Sequence, residues 1–279
     1  MLRRTPATIL VAHRMDVGRR ELYVEGVRDR VFLNWLVGDT RDTKASIVPI
    51  DQVELPEVDL GGNRERLKVF LQQVVSQPAN IRGLIDTDHA TFIEEAFPPN
   101  AWMTDLRDIE GYVLSEENVD AALRLGCGID RVAAVNVLAS THEVGATLAS
   151  IRLGSEKLGL KLPVSSANLS RCSKATRNGQ ITLDVQRLLQ SLLQAAGISL
   201  GRLPEVTTEV AVARELIATF PIEQVIHGKD CMKILTLQFK ALGSREVADA
   251  APVLWSSFKR EKLTEYPVLN DIVTFLTKA

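Results

Sequence analysis

The residues best suited to chemistry are acids at predicted strand ends. In "GLIDTDHATF" the apolar run Ile81-Arg82-Gly83-Leu84-Ile85 leads into Asp86 and Asp88, and in "YVEG" a β-prone run delivers Glu25 just before Gly26. Residues two apart share one face of a strand, so Asp86 and Asp88 are expected to reach one point if the extended geometry persists. Asp29 follows Glu25 by one helical turn and is expected to face the same rim. Asp105, Asp108 and Glu110 in "TDLRDIEG" add further acids downstream. Such charges repel unless a cation lies between them, and an all-oxygen ligand set selects Mg²⁺ or Mn²⁺. The expected ligands are Glu25, Asp29, Asp86, Asp88 and Glu110. The competing reading is plainer: an Asp-x-Asp at a strand end also makes an ordinary turn with side-chain hydrogen bonding, and a single glutamate is also a solvated charge.

Other residues offer supporting roles. Lys229 in "HGKD", after a glycine at a predicted helix start, is placed to offset phosphate charge in catalysis, or is an ordinary surface lysine. His227 reads as structural. Arg171, Lys174 and Arg177 lie in the polar, basic stretch "SSANLSRCSKATRNGQ" and are candidates to follow a nucleic-acid backbone, or form a solvated loop. His89 stands next to Asp88 as a metal-site helper or a hydrogen-bonding neighbour, and Trp102 as core or as a base-stacking platform.

Positioning these groups requires a sheet. "RRELYVEG" reads as strand, and "VRDRVFLNWLVG" as helix, with Val27, Val31, Leu33 or Trp35, and Leu36 at helical spacing. "ASIVPI" reads as strand, and "GGNRERLKVFLQQVVSQ" as a helix with Asn63 as its cap and Leu67, Phe70, Leu71, Val74 and Val75 on one stripe. "IRGLID" closes a βαβαβ order, which predicts a parallel sheet with its ligand at the strands' carboxyl ends. Beyond about residue 115 the Ala/Leu/Val patterning is helical, with Ser115 to Asn118 as a cap region. The expected division is an α/β core over 1–115 and a mainly helical region over 116–279. The latter carries the basic loop near 165–180 and the Gly-Lys-Asp element at 228–230.

Composition narrows the classes. The 279 residues are 46% hydrophobic, with a formal net charge of −2, enough for a packed core and without the strong basic charge of a general polyanion binder. Cys127, Cys172 and Cys231 have no CxxC spacing, which argues against a disulfide framework or a structural zinc. No apolar run has signal or membrane length, so a cytoplasmic, membrane-free setting is expected. No GxxxxGK[ST] loop occurs, so any ATPase activity belongs to another chain.

"VEGVRD", the "GGN" turn before a helix, "LIDTD" and "DIEGYVL" together resemble the TOPRIM family over residues 20–115, in the branch of small bacterial nucleases paired with ATPases. Within it the chain is similar to the toxin subunits of PARIS anti-phage systems, including the "HGKD" element. The resemblance implies a Rossmann-like α/β core and a Mg²⁺- or Mn²⁺-dependent phosphodiester site. In it, Glu25 is acid, base or ligand, and Asp86 and Asp88 are ligands. It also implies an ABC- or AAA-type ATPase partner and a homodimer when free. The expected function is a toxic endonuclease of abortive infection, cleaving host tRNA or DNA. The alternatives are a housekeeping RNA-maturation nuclease and a non-catalytic assembly subunit.

Overall fold

The computed structural model describes residues 4–55, 62–76, 80–88, 95–244 and 247–277. The chain forms two compact units, one of Met1–Ile109 with Lys259–Ala279 and the other of Glu110–Phe258. The division expected between 115 and 116 therefore meets a chain whose C-terminal segment groups with the N-terminal unit.

In the first unit, α1 (Pro6–Met15) precedes β1 (Arg20–Val24), α2 (Val27–Val37), β2 (Ala45–Pro49), α3 (Asn63–Gln73), β3 (Ile81–Ile85) and β4 (Ala101–Met103). The strands form one parallel sheet in the order β2-β1-β3-β4. This α/β architecture is the expected one, with α1 and the three-residue β4 added. β1 is central, and its Leu22, Tyr23 and Val24 are fully buried, which is why it reads as a continuous apolar run.

The face that α2 buries carries Phe32, Leu33, Leu36 and Val37, whereas Val27, Val31 and Trp35 of the predicted stripe are exposed. Positions i, i+1, i+4 and i+5 make a wider apolar stripe than the i, i+4, i+8 row, and the sheet takes the wider one. On α3, Leu67, Phe70, Leu71 and Val74 are buried as expected, while Val75 is exposed. Gly83 lets α3 close on the sheet, because a Cβ there would lie 2.4 Å from a Leu71 methyl group. The C-terminal helix Pro267–Thr277 completes this unit. Asp105 accepts from the backbone N–H groups of Val268 at 3.0 Å and Leu269 at 3.1 Å, and Phe275 meets Trp102 edge to face with centroids 5.5 Å apart. Trp102 is therefore a packing residue here.

The second unit holds α4 (Glu116–Ala121), α5 (Ala134–Lys157), the hairpin of β5 (Ser173–Ala175) and β6 (Ile181–Leu183), α6 (Val185–Ala195), α7 (Leu203–Ile217), α8 (Ile222–Val225), α9 (Gly228–Ala241) and α10 (Ala251–Ser257). Ser115 caps α4 by accepting from the Asn118 N–H. Leu148, Ile151, Leu189, Leu193, Val206 and Ile234 form the centre of its core. The predicted basic loop holds β5 and the turn of the β5–β6 hairpin, pinned by the buried Gln238, whose amide donates to the carbonyls of Val137 and Gly179. Among the described residues, no helix is long and apolar enough to cross a membrane.

Candidate active site at the carboxyl rim of the sheet

Glu25 directly follows β1, and Asp86 directly follows β3. The two strands are neighbours, with Val24 opposite Leu84, so parallel pairing brings these residues to the same rim. The backbone N–H of Asp86 donates to Glu25 Oε1 at 3.1 Å, and the Asn63 amide donates to the Glu25 carbonyl at 2.7 Å. Asn63 is thus not the cap of α3. Gly62 holds that position, and the Asn63 side chain ties α3 to the end of β1.

Asp86 and Asp88 do not lie on the strand, which ends at Ile85. They belong to a turn in which Asp88 adopts a left-handed φ of 44°, a costly conformation for a residue with a Cβ. The argument from strand periodicity therefore gives way to turn geometry. That turn is strongly braced. The Thr87 N–H donates to Thr104 Oγ1 at 2.9 Å, the Thr87 hydroxyl donates to the Thr104 carbonyl at 2.6 Å, and the Asp88 N–H donates to the Arg107 carbonyl at 2.8 Å.

Burial pushes the Glu25 carboxyl up to about 7, helped by the negative charges of Asp88 and Asp29 and opposed by the Asp86 N–H and Arg64. Asp29 is close enough to be felt, but it has a structural duty as well: its Oδ2 accepts from the Gly26 N–H at 2.8 Å at the start of α2. Gly26 itself, the residue before α2, has an extended φ of −143°.

Arg64, in the first turn of α3, carries the positive charge at this rim. One nitrogen donates to the Asp86 carbonyl and, at 3.2 Å, to Asp88 Oδ2; the other donates to Glu95 Oε2 at 2.7 Å. Lys68, one turn along, also pairs with Glu95. Sequence reasoning passed over Arg64. A signal existed, since an arginine in a helix's first turn opposes the helix dipole and needs a nearby acid to justify it.

Asp105 serves the C-terminal helix. Glu110 belongs to the second unit, fully buried in the short turn Ile109–Val113. Lys229 is half-buried in the first turn of α9, where the neighbouring Asp230 is buried and ion-paired with Arg152. Arg171, Lys174 and Arg177 are exposed around the hairpin of the second unit. His89 and Gly61 lie outside the described residues.

Among the described residues, no three His, Cys, Asp or Glu side chains stand together as a ready ligand group. The donor chemistry nevertheless fits a hard divalent ion. Glu25, Asp86 and Asp88 offer oxygen alone, and the Arg64 guanidinium already acts as a stand-in cation on Asp88. Compared with known proteins, the chain matches no family model and no curated protein.

Proposed function

We propose that the first unit is a metal-dependent endonuclease of the TOPRIM type, the toxic effector of an anti-phage system, cleaving phosphodiesters of host tRNA or DNA under the control of a partner ATPase. The observation that carries the chemistry is the meeting of Glu25 with the Asp86–Asp88 turn at the carboxyl ends of adjacent parallel strands. The motif order Glu-Gly, Gly-Gly-Asn, Asp-x-Asp supports the family. The defence setting rests on the same resemblance.

In this reading Glu25, Asp86 and Asp88 hold Mg²⁺ or Mn²⁺, which when bound lowers the pKa of an attacking water and neutralises phosphate charge. Glu25 contributes more than a ligand. Without a metal its carboxyl, raised to about 7, exchanges a proton readily at physiological pH, and a bound divalent ion would draw it back toward the carboxylate that serves as ligand or base. The Asp86 N–H fixes one Glu25 oxygen and leaves the other for that exchange. The braced Thr87 turn keeps Asp88 at the rim, so the acids need no rearrangement of backbone before use.

The test is expression of the chain with and without Glu25→Ala, followed by assay of the purified proteins on tRNA and DNA with Mg²⁺ or Mn²⁺. Growth arrest and cleavage that both require Glu25 are expected. Absence of cleavage on either polymer, with no effect of the substitution in cells, rejects the nuclease. Cleavage without arrest turns the reading to RNA maturation.

A further inference from the structure

Arg64 occupies the position where a cation is needed most, and its two terminal nitrogens serve different partners. One is on the Asp86 carbonyl and Asp88 Oδ2, and the other on Glu95. The guanidinium also lies 5.5 Å from the centroid of Phe97, with Lys68 at 5.1 Å from the same ring. Glu95 and Phe97 therefore give Arg64 partners other than Asp88. The turn, for its part, has several bonds that do not involve Arg64. The Asp86 N–H is on Glu25, Thr87 is bonded twice to Thr104, and the Asp88 N–H is on the Arg107 carbonyl.

A resident monovalent cation and an incoming divalent one cannot share a carboxylate without repelling each other. We propose that Arg64 is a positioning residue that competes with the divalent ion for Asp88 and is displaced from it on loading, while Glu95 keeps the guanidinium at the rim to take a substrate phosphate. The proposal rests on the metal-dependent reading above and deepens it. Arginine suits both halves of the exchange, because its planar fork matches a carboxylate and a phosphate equally well.

The experiment is a Mn²⁺ titration, with free Mn²⁺ followed by electron paramagnetic resonance, on the wild type, Arg64→Ala, Arg64→Lys and Asp88→Asn. Arg64→Ala is expected to bind Mn²⁺ at least five-fold more tightly than wild type, Arg64→Lys to fall between them, and Asp88→Asn to bind weakly, on the order of one charge pair at this range. In Ca²⁺, binding of a fluorescent single-stranded oligonucleotide by Arg64→Ala is expected to weaken by about ten-fold, the scale of one charge-assisted phosphate contact. Unchanged or weaker Mn²⁺ affinity in Arg64→Ala overturns the exchange and makes Arg64 a brace of the turn; if that variant does not fold, Arg64→Lys decides by the same sign. Undiminished oligonucleotide binding overturns the phosphate half. A wild type that takes up no Mn²⁺ rejects the metal-dependent reading itself, whereas Mn²⁺ uptake that needs Asp88 but ignores Arg64 rejects this inference alone.

Discussion

Glu21 and Glu25 stand four residues apart at opposite ends of β1, and their charges meet opposite fates. Glu21 is fully buried, and burial alone would push its carboxyl up. His13 at 3.3 Å, Tyr23, Arg4 at 2.7 Å and Arg19 outweigh that and hold it far below the usual carboxylate range. Glu25 is also withdrawn from water, but it receives one backbone N–H and faces the charges of Asp88 and Asp29, so burial prevails and the carboxyl rises to about 7. A carboxylate surrounded by donors is architecture. One left short of donors among like charges is available for a proton or a metal.

That contrast breaks most sharply by substitution. Glu25→Gln removes the exchangeable proton, and cleavage is expected to fall by about 10²- to 10⁴-fold in a gel assay while the protein stays folded. Glu21→Gln should do the reverse. It leaves the half-buried Arg4 and Arg19 short of their anion and costs about 1–3 kcal/mol in denaturant unfolding, with the specific activity of the remaining folded protein unchanged. If Glu21→Gln abolishes activity in fully folded protein, the division of labour between the two ends is wrong.

The pH dependence sharpens it further. The folded-state carboxyl of Glu25 lies above its ordinary 4.5, so the stability gained by keeping it protonated is full below that value and lost as pH rises through about 7. That contribution is about 2 kcal/mol after discounting for partial exposure to solvent. Glu21 is depressed, so its contribution is present above its ordinary value and lost as pH falls below it. Unfolding free energies measured from pH 5 to pH 8 should therefore decline in the wild type, and flatten in Glu25→Gln or with saturating Mn²⁺. The smallest effect belongs to Asp105, whose two oxygens are both spent on backbone N–H groups. Asp105→Ala should cost about 1 kcal/mol, as a lost helix cap, and leave cleavage intact.

The alternating strands and helices from β1 to β3 were legible because apolar periodicity is local, and parallel pairing then brings Glu25 and Asp86 together at one rim. What stayed hidden depends on partners far away in sequence. Asp105 looked like another rim acid because nothing nearby reveals that it caps a helix more than 150 residues later. Glu110 was expected as a ligand and Lys229 as a catalytic cation, and both fold within the second unit. The left-handed Asp88 was invisible because a strand's end cannot be fixed from an apolar run alone. Arg64 stayed hidden for a different reason: the acids it neutralises, Asp88 and Glu95, lie 24 and 31 residues further along the chain.

The grouping of Lys259–Ala279 with Met1–Ile109 has a consequence for synthesis. The residues bearing Glu25, Arg64 and Asp88 leave the ribosome early, but the helix that Asp105 caps arrives only after the intervening second unit. At about 5–20 residues per second, a gap of about 150 residues is a delay of roughly 8–30 s. During that interval the apolar surface that the last helix covers is open to water and to chaperones. A nascent chain halted within the second unit would carry every acid of the rim in a unit still missing its closing helix.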